Sequence, residues 1–542
     1  MYSRALGIFC VSVFLASWPA RSQDVEIFAP EVVAPVEALP EVDYPDPLPG
    51  ESMAEEMPEP FALTPEELTK AQEAALADPN AEPPDEVLVL APRSGSATPA
   101  VSFPGLDYVA GGQKTPPDVG VARSTDRVLE AVNAALRLFD TNGTIRVTKT
   151  TASFFGLPES PGVFDPKAFY DRNSQRFFLV VLESITNGDP QRLFLAVSRN
   201  PNPTGLDAAQ WCRYSMEART DITTANKTFA DYPSVGVGRD VVMVTTNQFV
   251  VAPPNQSLGY PILRLFAKAS LTNNATGSCP SLPASSIFRP LALASFSTAN
   301  AQTLQPVQHY TLPSATGGTS GYLISGKASP SKGYRVWRVR DGATAAPRLE
   351  FTEVLGLRMY TKAPNATQPA GIALDTGDTR ILQAAGVGDS IWAVQTTGCQ
   401  ISTGNNEACF RVLRFNASPT TSGFLAPIAE QATAGLSADN FLWMPSIAAT
   451  NSGRIGLALH MASAALPHGA GWLTKISGTS AFSSLNVLRA GTCSRGGSGF
   501  RSGDFSGAQA DPDGTSLWLA GENFGTVGTS CNWQTGIIKV VP

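Results

Sequence analysis

Beyond about residue 100 the apolar residues of this chain recur in short runs that alternate with a period of two. In one run Val241, Met243 and Thr245 alternate with Val242, Val244 and Thr246, and such β-branched stretches predict strands rather than amphipathic helices. Hairpin chemistry separates them: "TNGT" at 141–144, "VGDS" at 387–390 and "NSGR" at 451–454 place Asn, Asp and Gly where a tight turn needs them.

A larger unit repeats at irregular intervals of about 35–75 residues. It has a Pro- or Asp-rich opening, a strand of small and β-branched residues, a turn, a second hydrophobic strand and a third that ends on an aromatic or basic residue. Seven copies can be read. They start at Pro116 ("PPDVGVARSTDRVLEAVN"), Asp165 ("DPKAFYDRNSQRFFLVV"), Asp231 ("DYPSVGVGRDVVMVTTNQF"), His309, Asp378, Met444 ("MPSIAATNSGRIGLAL") and Arg501 ("RSGDFSGAQADPDGTSLWLAGENFG"). A unit of three or four strands cannot bury a core alone, whereas radial stacking buries each sheet against its neighbours. The reading is therefore all-β, a seven-bladed β-propeller over 101–542, with a two-sheet sandwich as the competing fold. Val101 to Val109 is expected to close the ring beside "TGIIKVV", because joining first and last repeats leaves no free sheet edge.

The five quoted motifs, in that order, resemble the blades of secreted, sialidase-like (BNR-type) seven-bladed β-propeller proteins, over roughly residues 102–542. The resemblance implies a propeller; it implies no particular reaction. A working sialidase of that kind needs three arginines gripping a carboxylate, a Tyr–Glu nucleophile pair and an Asp acid/base. Here Arg123, Arg239 and Arg501 lie near openings or turns, without an order that marks a triad. "DPDGTSLW" comes nearest to the family's Asp-box, but Asp511 lies three residues before Gly514 and Asp513 directly before it.

The N-terminal hundred residues follow different rules. Arg4 precedes an apolar run from Ala5 to about Ala16, and Ala20-Arg21-Ser22 offers small residues for cleavage. This predicts a secretory signal over 1–22, the run being too short to span a bilayer; an uncleaved anchor is the alternative. From 23 to 86 eighteen Asp and Glu face one Lys, among many Pro. That composition predicts a disordered acidic arm over 23–100, broken by one short helix at about 64–77 with Thr64 as N-cap, Pro65 in its first turn and Glu67 completing a capping box. The net charge of the whole chain is −7, so the remainder is mildly basic, and the arm is either a solubilising spacer or a mask over a basic surface.

Once Cys10 leaves with the signal, six of the seven cysteines remain. An even number in an exported chain predicts disulfides, and the sequential spacing suggests Cys212–Cys279, Cys399–Cys409 and Cys493–Cys531. With no CxxC and three His, zinc ligation is not the expected use of these cysteines. The localisation expected is secreted or periplasmic.

The chemistry is less legible. Asp504 and Glu522 are a candidate catalytic carboxylate pair of the kind glycoside hydrolysis uses. Asp118, Asp165, Asp231, Arg501 and Asp504 occupy openings that point to one face near the axis, and they are candidate ligand-binding residues. An Asp before a strand also caps the turn by accepting backbone N–H bonds, which is the plainer role for each. Asp511 and Asp513 offer oxygens for Ca2+, or form an ordinary turn; no other cofactor is expected. No phosphate loop, nucleophile elbow, zinc-protease motif or clustered Lys/Arg run occurs, which leaves nucleic acid outside the expected partners. The reading is a binding module for carbohydrate or extracellular protein at the funnel face. A glycoside hydrolase on the same face and a structural matrix protein are the alternatives.

Overall fold

The computed structural model describes residues 98–157, 162–183, 191–219, 227–252, 255–273, 279–281, 286–288, 302–327, 331–401, 406–437, 439–476, 481–496 and 500–542, with the short pieces 27–28, 31–32 and 87–90. The expected signal, the helix at 64–77 and most of the acidic arm lie outside the described residues.

Among the described residues the larger sheets are four of four strands, one of five and one of ten, the last joined by a parallel pairing of Gln302–Thr311 with Ile381–Val387. Counted by their inner strands they make seven antiparallel units, most of them meanders in chain order. Gly120–Arg123, Arg127–Val132, Ala135–Asp140 and Ile145–Thr150 make the first, and the others start at Val163, Lys227, Gln302, Ile381, Asn440 and Gly507. The first strand of each unit packs on the first strand of the next, and that of the seventh packs on that of the first. The units are thus blades around an axis, and the fold is a β-propeller rather than a sandwich. The seventh blade borrows its fourth strand: Val101–Asp107 runs antiparallel to Ser530–Val540, with Phe103 opposite Ile537. The turns expected at 141–144, 387–390 and 451–454 join consecutive strands.

Because blades stack face to face, both faces of a strand are buried. Val241 through Val244 are fully buried, and Thr245 and Thr246 nearly so. The large rings Trp211, Trp337, Trp443, Trp518 and Trp533 fill spaces between sheets. Small residues set the closest approaches: a Cβ on Gly521 would stand 2.5 Å from the Cβ of Ala470 in the neighbouring blade.

Two expectations need correction. The fourth blade does not open at His309, which lies inside its first strand, Gln302–Thr311. Gln305 and Gln308 are buried and bonded to Ser234 and Gln383 of the neighbouring blades, and their polarity hides the strand in the pattern. The arm is also not wholly without structure. Ile27–Phe28 pairs with Leu349–Glu350, Glu31–Val32 with Ser286–Ile287, and Leu88–Val89 with Ala434–Gly435. Apolar pairs within the arm thus dock on outer blade edges, where unpaired backbone groups are available. The three disulfides are Cys212–Cys279, Cys399–Cys409 and Cys493–Cys531. Among the described residues no helix is long and apolar enough to cross a membrane.

Candidate functional site

The inner strands start with a shared irregularity. Asp118, Asp165, Tyr232, Thr303 and Met444 have φ of 53°, 54°, 51°, 37° and 47°. Pairing slips beside four of them, between Val180 and Leu182, Asp231 and Ser234, Gln302 and Gln305, and Trp443 and Ser446. An extra residue in a strand bends it and re-aims a side chain, and a following Pro, as at Pro166, Pro233 and Pro445, removes a donor that such a bend leaves unpaired. The "DP", "YP" and "MP" dipeptides of the repeat are these bulges.

Their effect is to gather charge at one mouth of the axis. Carboxylate oxygens of Asp118, Asp165 and Asp504, from the first, second and seventh blades, lie within 4.8 Å of one another. Asn133 ties two of them: its Nδ2 donates to Asp118 Oδ2 at 2.6 Å, and its Oδ1 accepts from the Asp165 N–H at 2.7 Å. The Asp504 N–H donates to Asp118 Oδ1 at 2.6 Å. Arg501 grips Asp504 with both Nε and Nη2. Asp231 lies near enough to raise the Asp165 carboxyl, and its own Oδ1 accepts from the Tyr232 N–H at 2.8 Å. Burial, then Asp231 and Asp118, push the Asp165 carboxyl well above the usual carboxylate range; burial also raises Asp118 and Asp231.

Three cations interleave with these acids. Lys167, half-buried two residues after Asp165, is pushed down to about 7 by desolvation, against the pull of Asp165 and Asp118. Its Nζ sits 2.9 Å from the centroid of Phe505 and 5.4 Å from that of Tyr232. Arg380 also lies over the ring of Tyr232, at 4.3 Å, and donates to Asp378 through Nε and Nη2. Both aromatic rings are buried, each with a cation against it, and neither offers an open stacking face. Below the mouth the axis is filled by amides: Gln383 Nε2 donates to Gln308 Oε1 and the Ala508 carbonyl, and the Gln509 side chain bonds the backbone of both Arg123 and Tyr170. A small cavity lined by Gly120, Lys167, Ser234, Gln305, Gln383 and Ser506 separates the charged ring from this plug.

Asp118, Asp165, Asp231, Arg501 and Asp504 thus come together, while the other candidates do not join them as open groups. Glu522 is fully buried against Gly503, so Asp504 and Glu522 do not share a solvent-facing cleft. Asp511 accepts from the Trp518 indole N–H and pairs with Lys539 and Arg123, and Asp513 accepts from the N–H groups of Thr515 and Ser516. Both belong to a capped turn and an ion-pair network. Sequence reasoning missed Asn133, Lys167, Asp378 and Arg380. Lys167 carried a signal, its place directly after the Asp-Pro bulge; the others reach the mouth from other blades or strands, and only the ring shows it.

No protein-family model matches the chain, and no curated protein shows significant similarity to it. Among solved structures, the Dos1 propeller is similar at 10% identity over 81% of this chain and 94% of its own, with a TM-score of 0.36. A Trypanosoma rangeli sialidase in complex with the inhibitor DANA is similar at 8% identity over 77% and 57%, with a TM-score of 0.30. A glycosyl hydrolase from Bacteroides ovatus is similar at 10% identity over 60% and 86%, with a TM-score of 0.28. At these identities and TM-scores the likenesses carry no functional argument.

Proposed function

We propose that this chain is an exported propeller whose mouth binds a hydroxyl-rich ligand of the carbohydrate class. The observation that supports the reading is the convergence of Asp118, Asp165, Asp231 and Asp504 from four blades, interleaved with Lys167, Arg380 and Arg501. Carboxylates accept hydroxyl protons in pairs, and ammonium and guanidinium groups donate to ring and hydroxyl oxygens. The capped state of Tyr232 and Phe505 favours hydrogen bonding over ring stacking as the mode of recognition. Three disulfides fit an oxidising compartment.

A second reading has one observation in its favour. Burial, with Asp231 and Asp118 beside it, pushes the Asp165 carboxyl well above the usual carboxylate range, and a carboxyl group raised in this way is one half of what hydrolytic acid/base chemistry requires. The full exported chain, screened on a glycan array and against chromogenic glycosides, separates the two. Binding that Arg501→Ala and Asp165→Asn each weaken at least about tenfold, without turnover, supports the binding module. Turnover that Asp165→Asn abolishes supports the hydrolase. Glycan binding indifferent to both substitutions would remove the mouth as the site.

A further inference from the structure

Three ligating side chains that the mouth does not use meet between the sixth and seventh blades. His460 lies on Arg454–Ser463, His468 on Leu466–Ile476 and Glu522 on Leu517–Val527. The two sixth-blade strands slip in register between Met461 and Ser463, so that Pro467 and His468 form a bulge. The imidazole rings stand 4.8 Å apart between centroids, and His460 Nε2 is 3.8 Å from Glu522 Oε1, too far for a hydrogen bond. One ligand atom from each of the three lies within 4.8 Å of the others.

All three side chains are fully buried; neither ring nitrogen of His468 and neither carboxylate oxygen of Glu522 has a hydrogen-bond partner, and His460 has only a contact with the backbone of Phe505. Buried polar atoms are nearly always satisfied, and a buried carboxyl group without a donor is costly. Three such side chains, each with one ligand atom within 4.8 Å of the others, are a ligand set rather than a packing accident. Burial holds His460 down to about 3 and His468 well below the usual imidazole range, which keeps both rings in the neutral form that coordinates metals. Burial, with Asp118 nearby, raises Glu522, and a cation beside it would reverse that.

We propose that His460, His468 and Glu522 bind one divalent first-row transition ion, for which Zn2+ is the probe, and that the ion clamps the sixth blade to the seventh. Two imidazoles with one carboxylate suit such ions, whereas Ca2+ and Mg2+ prefer oxygen shells. Ligands about 2.1 Å from a tetrahedral ion stand about 3.4 Å apart, so atoms that lie within 4.8 Å of one another have to draw together by up to about 1.4 Å on binding. Trp443 and Phe524 flank His468 at 5.5 and 4.8 Å and exclude water from one side. The Ser502 and Ser506 hydroxyls, on the loop whose Gly503 rests against Glu522, are also buried without partners. The seal implies that the ion enters as the blades close.

The full exported chain, purified without chelator, stripped with dipicolinate and titrated with Zn2+, tests this. The expected result is one equivalent of zinc per chain, a rise in thermal midpoint on rebinding, and an X-ray absorption shell containing two imidazoles. Glu522→Gln and His468→Gln are each expected to weaken zinc binding at least about 100-fold, while Asp165→Asn in the mouth leaves it unchanged. A wild-type chain that binds no zinc, a bound zinc lacking imidazole ligands, or one equivalent that survives both substitutions overturns the proposal. The wild-type stoichiometry and absorption spectrum decide even if a variant fails to fold.

Discussion

At Asp165, burial and neighbouring charge decide which protonation state the fold carries. The folded chain holds this proton well above the usual carboxylate range, whereas the unfolded chain releases it near pH 3.9. Between those limits the unfolded state carries fewer protons, so stability falls as pH rises and is fully present only below the unfolded value. Asn keeps the shape and never ionises. Asp165→Asn is therefore expected to raise the thermal midpoint at pH 7–8, with the gap closing towards pH 4. Thermal melts of both proteins across that range check it, and parallel curves would show that Asp165 is ionised in the fold. A change that stabilises the fold while weakening ligand binding is what a site residue, rather than a turn cap, should give. Asp504 stands differently. It looked like a spare acid in a glycine-rich stretch, yet Arg501 grips it and its N–H serves Asp118. Asp165 and Asp231 were legible because each sits at a bulged strand opening marked by a nearby proline. Asn133 was not, because it matters only through Asp118 and Asp165, fifteen and thirty-two residues away.

At the scale of the strand, the two-residue alternation reported strands without reporting which face is core. A half-exposed strand shows its inside by polarity; Val241–Ala252 has neighbours on both sides, and its first four residues are all apolar. The hairpins and the order of the strands were legible for that reason, and the neighbour relations were not. Spacing between blades rests on residues that pattern reading passes over. Gly521 faces Ala470 so closely that a methyl group has no room, and overpacking of this kind costs about 1–3 kcal/mol. Gly521→Ala is expected to lower the thermal midpoint by several degrees, and the added substitution Ala470→Gly to recover part of the loss. A double variant no better than the single one would mean that the strain lies elsewhere.

At the scale of the whole ring, one buried acid guards the seam. Glu130 of the first blade accepts from the Leu106 N–H at 2.9 Å and bonds Thr535, whose hydroxyl also donates to the Leu106 carbonyl at 2.9 Å. One hydroxyl proton cannot serve both bonds, so a protonated Glu130 donating to Thr535 satisfies all three groups. Burial raises Glu130 to about 7. Its contribution is complete below the unfolded value near 4.3 and is lost as pH rises through 7. Glu130→Gln is expected to flatten the decline in stability between pH 5 and 8, by about 1–3 kcal/mol at the upper end, as read from denaturant melts at each pH. A chain beginning at residue 98 is expected to keep a single cooperative melt, and one beginning at residue 110, without the borrowed strand, to lose it. Two melts of equal cooperativity would show that the ring does not depend on that strand.

The borrowed strand also orders events in time. Val101–Asp107 leaves the ribosome more than four hundred residues before Ser530–Val540, its partner in the seventh blade. Until the last residues emerge, Phe103 and Leu106 have no sheet to cover them and six blades stand as an open arc. The entropy of so long a loop rises only slowly with length, but contacts this distant make folding slow. The chain is therefore most vulnerable to proteases and to edge-to-edge association during synthesis, and its survival there depends on how fast its own C-terminus arrives.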